Sequence, residues 1–126
     1  MSNRRILLVD DDPGIREVAR VSLEMTMGWQ VLTVSSGREA INIADQEDFS
    51  AVLLDVMMPD MDGAETFARL REGGRSRAVP VVLLTAKTQK VDLADYAEMG
   101  VAGTVHKPFD PLSLGREVAD ALGWED

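Results

Sequence analysis

The chain has 126 residues, enough for one domain with a single core, and its 45% hydrophobic and 28% charged residues are an ordinary globular balance. It has no cysteine, so neither disulfides nor thiolate metal sites can contribute. A net charge of −9, from 13 basic against 22 acidic residues, disfavours nonspecific contact with nucleic acid or anionic membrane.

The first strand is predicted at 5–10, where Ile6-Leu7-Leu8-Val9 runs into Asp10-Asp11-Asp12. That run is too short for a signal peptide, and no other approaches the ~20 residues that span a bilayer, so a cytoplasmic location is expected. Asp12 can cap the first helix, with Pro13 at its first position. A second strand at 30–34 leads to Ser36 and Glu39, a capping-box pattern ahead of Ala40, Ile43 and Ala44 on one face. The third strand, 51–55, ends in Asp55, and Asp62 starts a third helix with Ala64, Phe67 and Leu70 at core spacing. A fourth strand at 79–84 ends at Thr85-Ala86. Thr88 starts a fourth helix through Val91, Ala94 and Glu98, which Gly100 ends; its apolar stripe is the weakest, so it should be the least firmly seated. The fifth strand, 102–106, runs into Lys107-Pro108-Phe109, and Asp110-Pro111 opens a fifth helix with Leu114, Val118 and Leu122 one turn apart.

Most of these strands are continuously apolar, the pattern of parallel strands covered on both faces. Five βα units in a row predict an α/β fold, an open parallel sheet wound on both sides. No linker or repeat divides the chain, so residues 1–126 are taken as one domain without an output domain, and output is expected through protein contacts.

Carboxylates, a hydroxyl and a lysine thus arrive at successive strand ends, where open α/β sheets bind ligands. Clustered carboxylates repel one another, and a divalent cation removes that cost. Oxygen ligands, few in number, suit magnesium better than calcium or zinc. Singly, each residue has an ordinary explanation. Asp12 reads as a cap, Asp60 and Asp62 as turn and cap, Thr85 as a β-branched strand residue and Lys107 as a solvated charge.

Four segments in order make the pattern specific: Leu8-Val9-Asp10-Asp11-Asp12, then Leu53-Leu54-Asp55 through Met57-Met58-Pro59 to Asp62-Gly63, then Leu84-Thr85-Ala86, then Lys107-Pro108-Phe109. Along nearly its whole length the chain resembles the receiver domain of response regulators, the phospho-acceptor module of two-component signalling. The resemblance implies a flavodoxin-like five-stranded parallel sheet of order 2-1-3-4-5 with five helices. It implies a signalling phospho-acceptor rather than an enzyme acting on other substrates. Asp55 would take a phosphoryl group from the phosphohistidine of a sensor histidine kinase or a histidine phosphotransfer protein. Asp11 would bind Mg²⁺ directly, Asp10 mainly through water, and Asp55 and the Met57 carbonyl would complete the protein ligands. Lys107 would balance charge on the transferred oxygens, and Thr85 would hydrogen-bond one of them. Lys107-Pro108 would be a cis peptide. The resemblance implies no direct contact with nucleic acid or membrane, and a monomer or a phosphorylation-dependent dimer.

Two departures stand out. The strand 5 position that usually carries Tyr or Phe holds Thr104, too small for the inward aromatic rotation that accompanies the movement of Thr85. Met57 and Lys87, two residues beyond Asp55 and Thr85, offer no carboxylate or amide to orient a hydrolytic water, which predicts slow self-dephosphorylation. His106, the sole histidine, should point away from Lys107 and reads as structural or surface. Three other functions compete. A haloacid-dehalogenase-type phosphatase needs a second acid where Met57 stands. A flavodoxin-like electron carrier would find its flavin phosphate repelled by Asp10 to Asp12. A pseudo-receiver scaffold usually lacks one of the acids, the Thr or the Lys.

Overall fold

The computed structural model describes residues 4–59, 61–86 and 97–125. Strands β1 (Arg5–Val9), β2 (Gln30–Val34), β3 (Ala51–Asp55), β4 (Val81–Ala86) and β5 (Gly103–Lys107) form one sheet in the order β2-β1-β3-β4-β5. Every pairing is parallel. The three inner strands are buried almost throughout, which explains their unbroken apolar runs, whereas the edge strands β2 and β5 are mostly half-buried or exposed.

Because successive side chains leave a strand on opposite faces, each run feeds two cores. Ile6, Leu8, Leu53, Val82 and Leu84 pack with Ala19 and Leu23 of α1 (Pro13–Met27) and with Leu114 and Val118 of the C-terminal helix (Leu114–Leu122). On the other face Leu7, Val9, Val52, Leu54 and Leu83 meet Ala40 and Ala44 of α2 (Gly37–Gln46) and Phe67 and Leu70 of α3 (Gly63–Glu72). The strand order implied by the resemblance and the doubly wound architecture read from the sequence are those found. No helix among the described residues is long and apolar enough to cross a membrane.

Helix starts follow their capping residues. Asp12 accepts from the backbone N–H groups of Gly14 (2.8 Å) and Ile15 (3.2 Å), and Pro13 opens α1. Asp12→Ala is expected to cost about 1 kcal/mol, seen as a lower urea midpoint with an unchanged slope. Ser36 accepts from Glu39 N–H at 3.2 Å, but the Glu39 carboxylate turns to the Ser35 hydroxyl at 2.7 Å, so only half of the capping box forms. Asp62 caps α3 through Glu65 N–H at 2.9 Å.

Some boundaries differ from expectation. A 3₁₀ turn at Arg75–Ala78 precedes β4, which begins at Val81 rather than 79 and continues through Ala86. β5 is shifted one residue later, and Ala86 pairs with Lys107 at its end. Asp110 accepts from Leu112 N–H at 2.9 Å, and residues 111–113 form a turn before the C-terminal helix begins at Leu114. Most of the predicted fourth helix, with Thr88, Val91 and Ala94, lies outside the described residues. Residues 97–99 are helical, and Gly100 follows at φ 103°, the left-handed conformation expected of a terminating glycine.

Candidate functional site

The strand order puts β1 next to β3, so Asp10 and Asp55 emerge side by side at the C-terminal edge of the sheet. Both are almost wholly buried, at 0% and 2% exposure, whereas Asp11 is exposed. A carboxylate oxygen from each of Asp10, Asp11 and Asp55 lies within 4.8 Å of the others. Three acids so placed can share one cation through oxygen ligands alone, the donor set that suits a hard divalent ion.

Lys107 starts two strands away from Asp55, roughly 10 Å at the backbone. Its stem folds inward, and Nζ donates to Asp10 Oδ2 and Asp55 Oδ1, each at 3.1 Å. The peptide bond to Pro108 is cis. Asp10 Oδ1 accepts from Asp12 N–H at 2.9 Å, so both oxygens of Asp10 are engaged. Met57 N–H donates to Asp55 Oδ1 at 3.3 Å, while the Met57 side chain is 60% exposed.

Burial raises the pKa of Asp55 to about 6, and the neighbouring charge of Asp10 adds to the rise; Lys107 and Met57 N–H offset only part of it. Burial alone would pull the Lys107 ammonium down, but the hydrogen bonds and charges of Asp10 and Asp55 outweigh it and leave its pKa raised. The site therefore holds more negative charge than one lysine compensates.

The loop after β3 is drawn tight beneath the site. Gly63 N–H donates to Val56 O at 2.8 Å, and a Cβ at Gly63 would sit 2.9 Å from Val56 Cα and 3.0 Å from Asp55 O. Glycine is the residue that lets the start of α3 approach the backbone carrying Asp55 so closely.

Thr85 is buried near the end of β4, directly opposite His106 in the β4–β5 register. Its hydroxyl lies 3.2 Å from His106 Nδ1, on the β5 side. Thr104, also on β5, pairs with Leu83 and is half-buried. Asp60 and Lys87 lie outside the described residues. The structure thus gathers Asp10, Asp11, Asp55 and Lys107 in one place, with the Met57 backbone beside them and Thr85 turned toward β5.

Two participants were missed in the sequence. Arg16 reaches back from α1 to donate to the Asp10 carbonyl at 2.8 Å, and its only advance signal is a position one turn beyond the Asp12 cap. The His106 contact depends on the pairing register of two strands, which no local pattern encodes. An apolar groove lined by Ile15, Val18, Pro108 and Phe109 opens beside Lys107 and continues past Val18 to the exposed Val21, Met25 and Leu112.

Comparison with known proteins agrees with this geometry. The family model for the response regulator receiver domain matches residues 6–119. The chain is 35% identical over 120 residues to the alkaline phosphatase synthesis transcriptional regulatory protein PhoP of Bacillus subtilis, covering 95% of this chain and 49% of that protein. It is 35% identical over 114 residues to the transcriptional regulatory protein SrrA of Staphylococcus aureus, covering 90% of this chain and 45% of that one. The chain therefore spans about half the length of the curated relatives it matches. Among solved structures, the chemotaxis protein CheY4 of Vibrio cholerae superposes with a TM-score of 0.86 at 29% identity, covering 95% of this chain and 99% of that one. The receiver domain of the sensor histidine kinase PA1611 of Pseudomonas aeruginosa, which holds a magnesium ion in its active-site cleft, gives 0.83 at 29% identity, covering 97% and 99%. Sequence, fold and the acidic cluster agree: the chain belongs to the response regulator receiver domain family of two-component signalling.

Proposed function

We propose that this domain is a phosphorylation-dependent switch that accepts a phosphoryl group from a phosphohistidine donor onto Asp55 in a Mg²⁺-dependent reaction. The observation that carries the reading is the convergence on Asp55 of two further carboxylates within 4.8 Å and a lysine at 3.1 Å. Asp11, Asp55 and the Met57 carbonyl are the protein ligands we assign to the cation, with Asp10 acting through water. The exposure of Asp11 and the engagement of both Asp10 oxygens support that division. Bound there, Mg²⁺ supplies positive charge to the carboxylates and to the phosphoryl oxygens.

Lys107 and Met57 N–H both meet Asp55 at Oδ1, so Oδ2 is the oxygen we assign to the attack. Its lone pair forms the new P–O bond as the P–N bond of the donor breaks and the electron pair leaves on the donor imidazole. Lys107, a mobile point charge, moves with the transferred oxygens. Thr85 donates to one of them after turning from β5. Because phosphoryl transfer is mainly positioning and charge stabilisation, this set is sufficient. The donor is a sensor histidine kinase or a histidine phosphotransfer protein, and the apolar groove beside Lys107 is the surface we assign to it. Output is by protein contact, as a monomer or a phosphorylation-dependent dimer.

Incubation with a small acyl phosphate and Mg²⁺, followed by intact mass and peptide mapping, tests the reading. One phosphate on Asp55 is expected. No gain would favour the pseudo-receiver scaffold, and catalytic release of phosphate would favour a phosphatase. The exposed Met57 side chain offers nothing to orient a hydrolytic water, so the phosphoprotein should decay slowly. Met57→Asn is expected to shorten its lifetime by about an order of magnitude, followed as loss of the phosphorylated mass with time.

A further inference from the structure

We infer that His106 is a positioning residue for Thr85: its imidazole holds the threonine hydroxyl on the β5 side until a phosphoryl group on Asp55 takes the hydroxyl over. The inference rests on the assignment of Asp55 as phospho-acceptor and adds a residue to that site.

The sheet order sets up the choice. β4 lies between β3, which carries Asp55, and β5, which carries His106. Thr85 is 2% exposed, and its hydroxyl can turn toward either neighbour by a change of one side-chain torsion. In this structure it is 3.2 Å from His106 Nδ1. A threonine hydroxyl carries a single proton. With Nδ1 as acceptor, that proton is committed to the imidazole and cannot reach a phosphoryl oxygen at the same time. The two bonds are alternatives, so formation of one releases the other.

This exchange supplies what position 104 cannot. Thr104 and His106 are two residues apart on β5 and so leave the same face of the sheet. Thr104 has too little volume to follow Thr85 inward. His106 needs no inward movement, because its link to Thr85 is a hydrogen bond between register partners. Its ring is exposed on an edge strand, where release of Nδ1 changes what the surface offers a partner.

The chain has one histidine, so its imidazole nitrogen signals are read by NMR without assignment ambiguity. Beryllofluoride with Mg²⁺ serves as the phosphoryl mimic. In the wild-type chain the Nδ1 signal is expected to move when the mimic is added. In Thr85→Ala it should already lie displaced, with no further movement. His106→Leu, which removes the competing bond, should take phosphate from a small acyl phosphate roughly two- to tenfold faster, the equivalent of one net hydrogen bond. His106→Asn, whose amide places a hydrogen-bonding atom where Nδ1 stands, should return the rate toward wild type. An imidazole signal that stays still while the Met57 amide beside Asp55 shifts would overturn the inference alone, as would equal rates for the Leu and Asn variants. If neither signal moves and no phosphate is gained, the phospho-acceptor assignment falls and this inference with it.

Discussion

Asp55→Asn is expected to gain no phosphate and yet, at neutral pH without a divalent cation, to be more stable than the unmodified chain. The two effects share one cause. Asp55 is buried beside Asp10, and its pKa is raised from 3.8 to about 6. As pH rises through that window, the unfolded chain releases a proton that the native state still holds. Stability therefore falls with rising pH until Asp55 ionises near 6, and the deficit persists above it. A two-unit shift corresponds to about 3 kcal/mol at most, and the exposed rim of the site makes about 1–3 kcal/mol the reasonable range. An asparagine amide oxygen can still accept from Lys107 Nζ and Met57 N–H without carrying the charge, and Lys107 keeps its ion pair with Asp10. Urea unfolding at pH 4 and pH 7.5 separates the terms: the variant should match wild type at the lower pH and exceed it at the higher. Equal stability at both would mean that the buried carboxylate carries no such cost. Mg²⁺ should narrow the gap by stabilising the chain that retains all three acids.

Why the fold was legible, and part of the site was not, follows from where the information resides. β1, β3 and β4 are buried on both faces, so Ile6 to Val9, Val52 to Leu54 and Val81 to Leu84 stand out as short unbroken apolar runs. The start of β4 was misplaced because Val79 and Pro80 extend its run. Pro80 has no N–H to give the ladder, although its carbonyl accepts from Val52 N–H at 2.9 Å. The half-formed capping box at Ser36 was hidden because a second hydroxyl, at Ser35, competes for the Glu39 carboxylate. Asp10, Asp11, Asp55 and Lys107 could be grouped in advance because each sits at a strand end, and a parallel sheet brings those ends to one edge. Alternation along β5 correctly placed His106 away from Lys107. What it met there depends on the β4–β5 register, which is set by packing over the whole sheet and not by the residues beside it.

Lys107→Met is the second large effect. Methionine keeps an unbranched apolar stem of similar length while removing the ammonium that bridges two buried carboxylates. Asp10 and Asp55 hold the Lys107 pKa above its ordinary value of 10.5 despite burial, so the ammonium stays charged throughout pH 5–9. Its own titration therefore removes nothing in that range, and the ammonium would be lost only as pH rises past both values; what varies below pH 7 is the charge on Asp55. Breaking a buried ion pair by removing one partner costs about 3–5 kcal/mol when the remaining charge cannot escape. Here it can escape: the carboxylates can take up a proton, so the pKa of Asp55 should climb further above 6. The loss should therefore be small at pH 5 and grow toward pH 8. Mg²⁺ should restore more stability to the variant than to wild type, since a cation entering among Asp10, Asp11 and Asp55 no longer competes with the ammonium. Phosphorylation by a small acyl phosphate should nevertheless fall about 10²–10³-fold, as for loss of one preorganised charge at the transferred oxygens. Paired urea titrations with and without Mg²⁺, beside the phosphorylation rate, distinguish a lysine that only fills the site from one that acts in transfer. A variant that binds Mg²⁺ more tightly but transfers slowly assigns Lys107 to the reaction; one that transfers at the wild-type rate assigns it to packing.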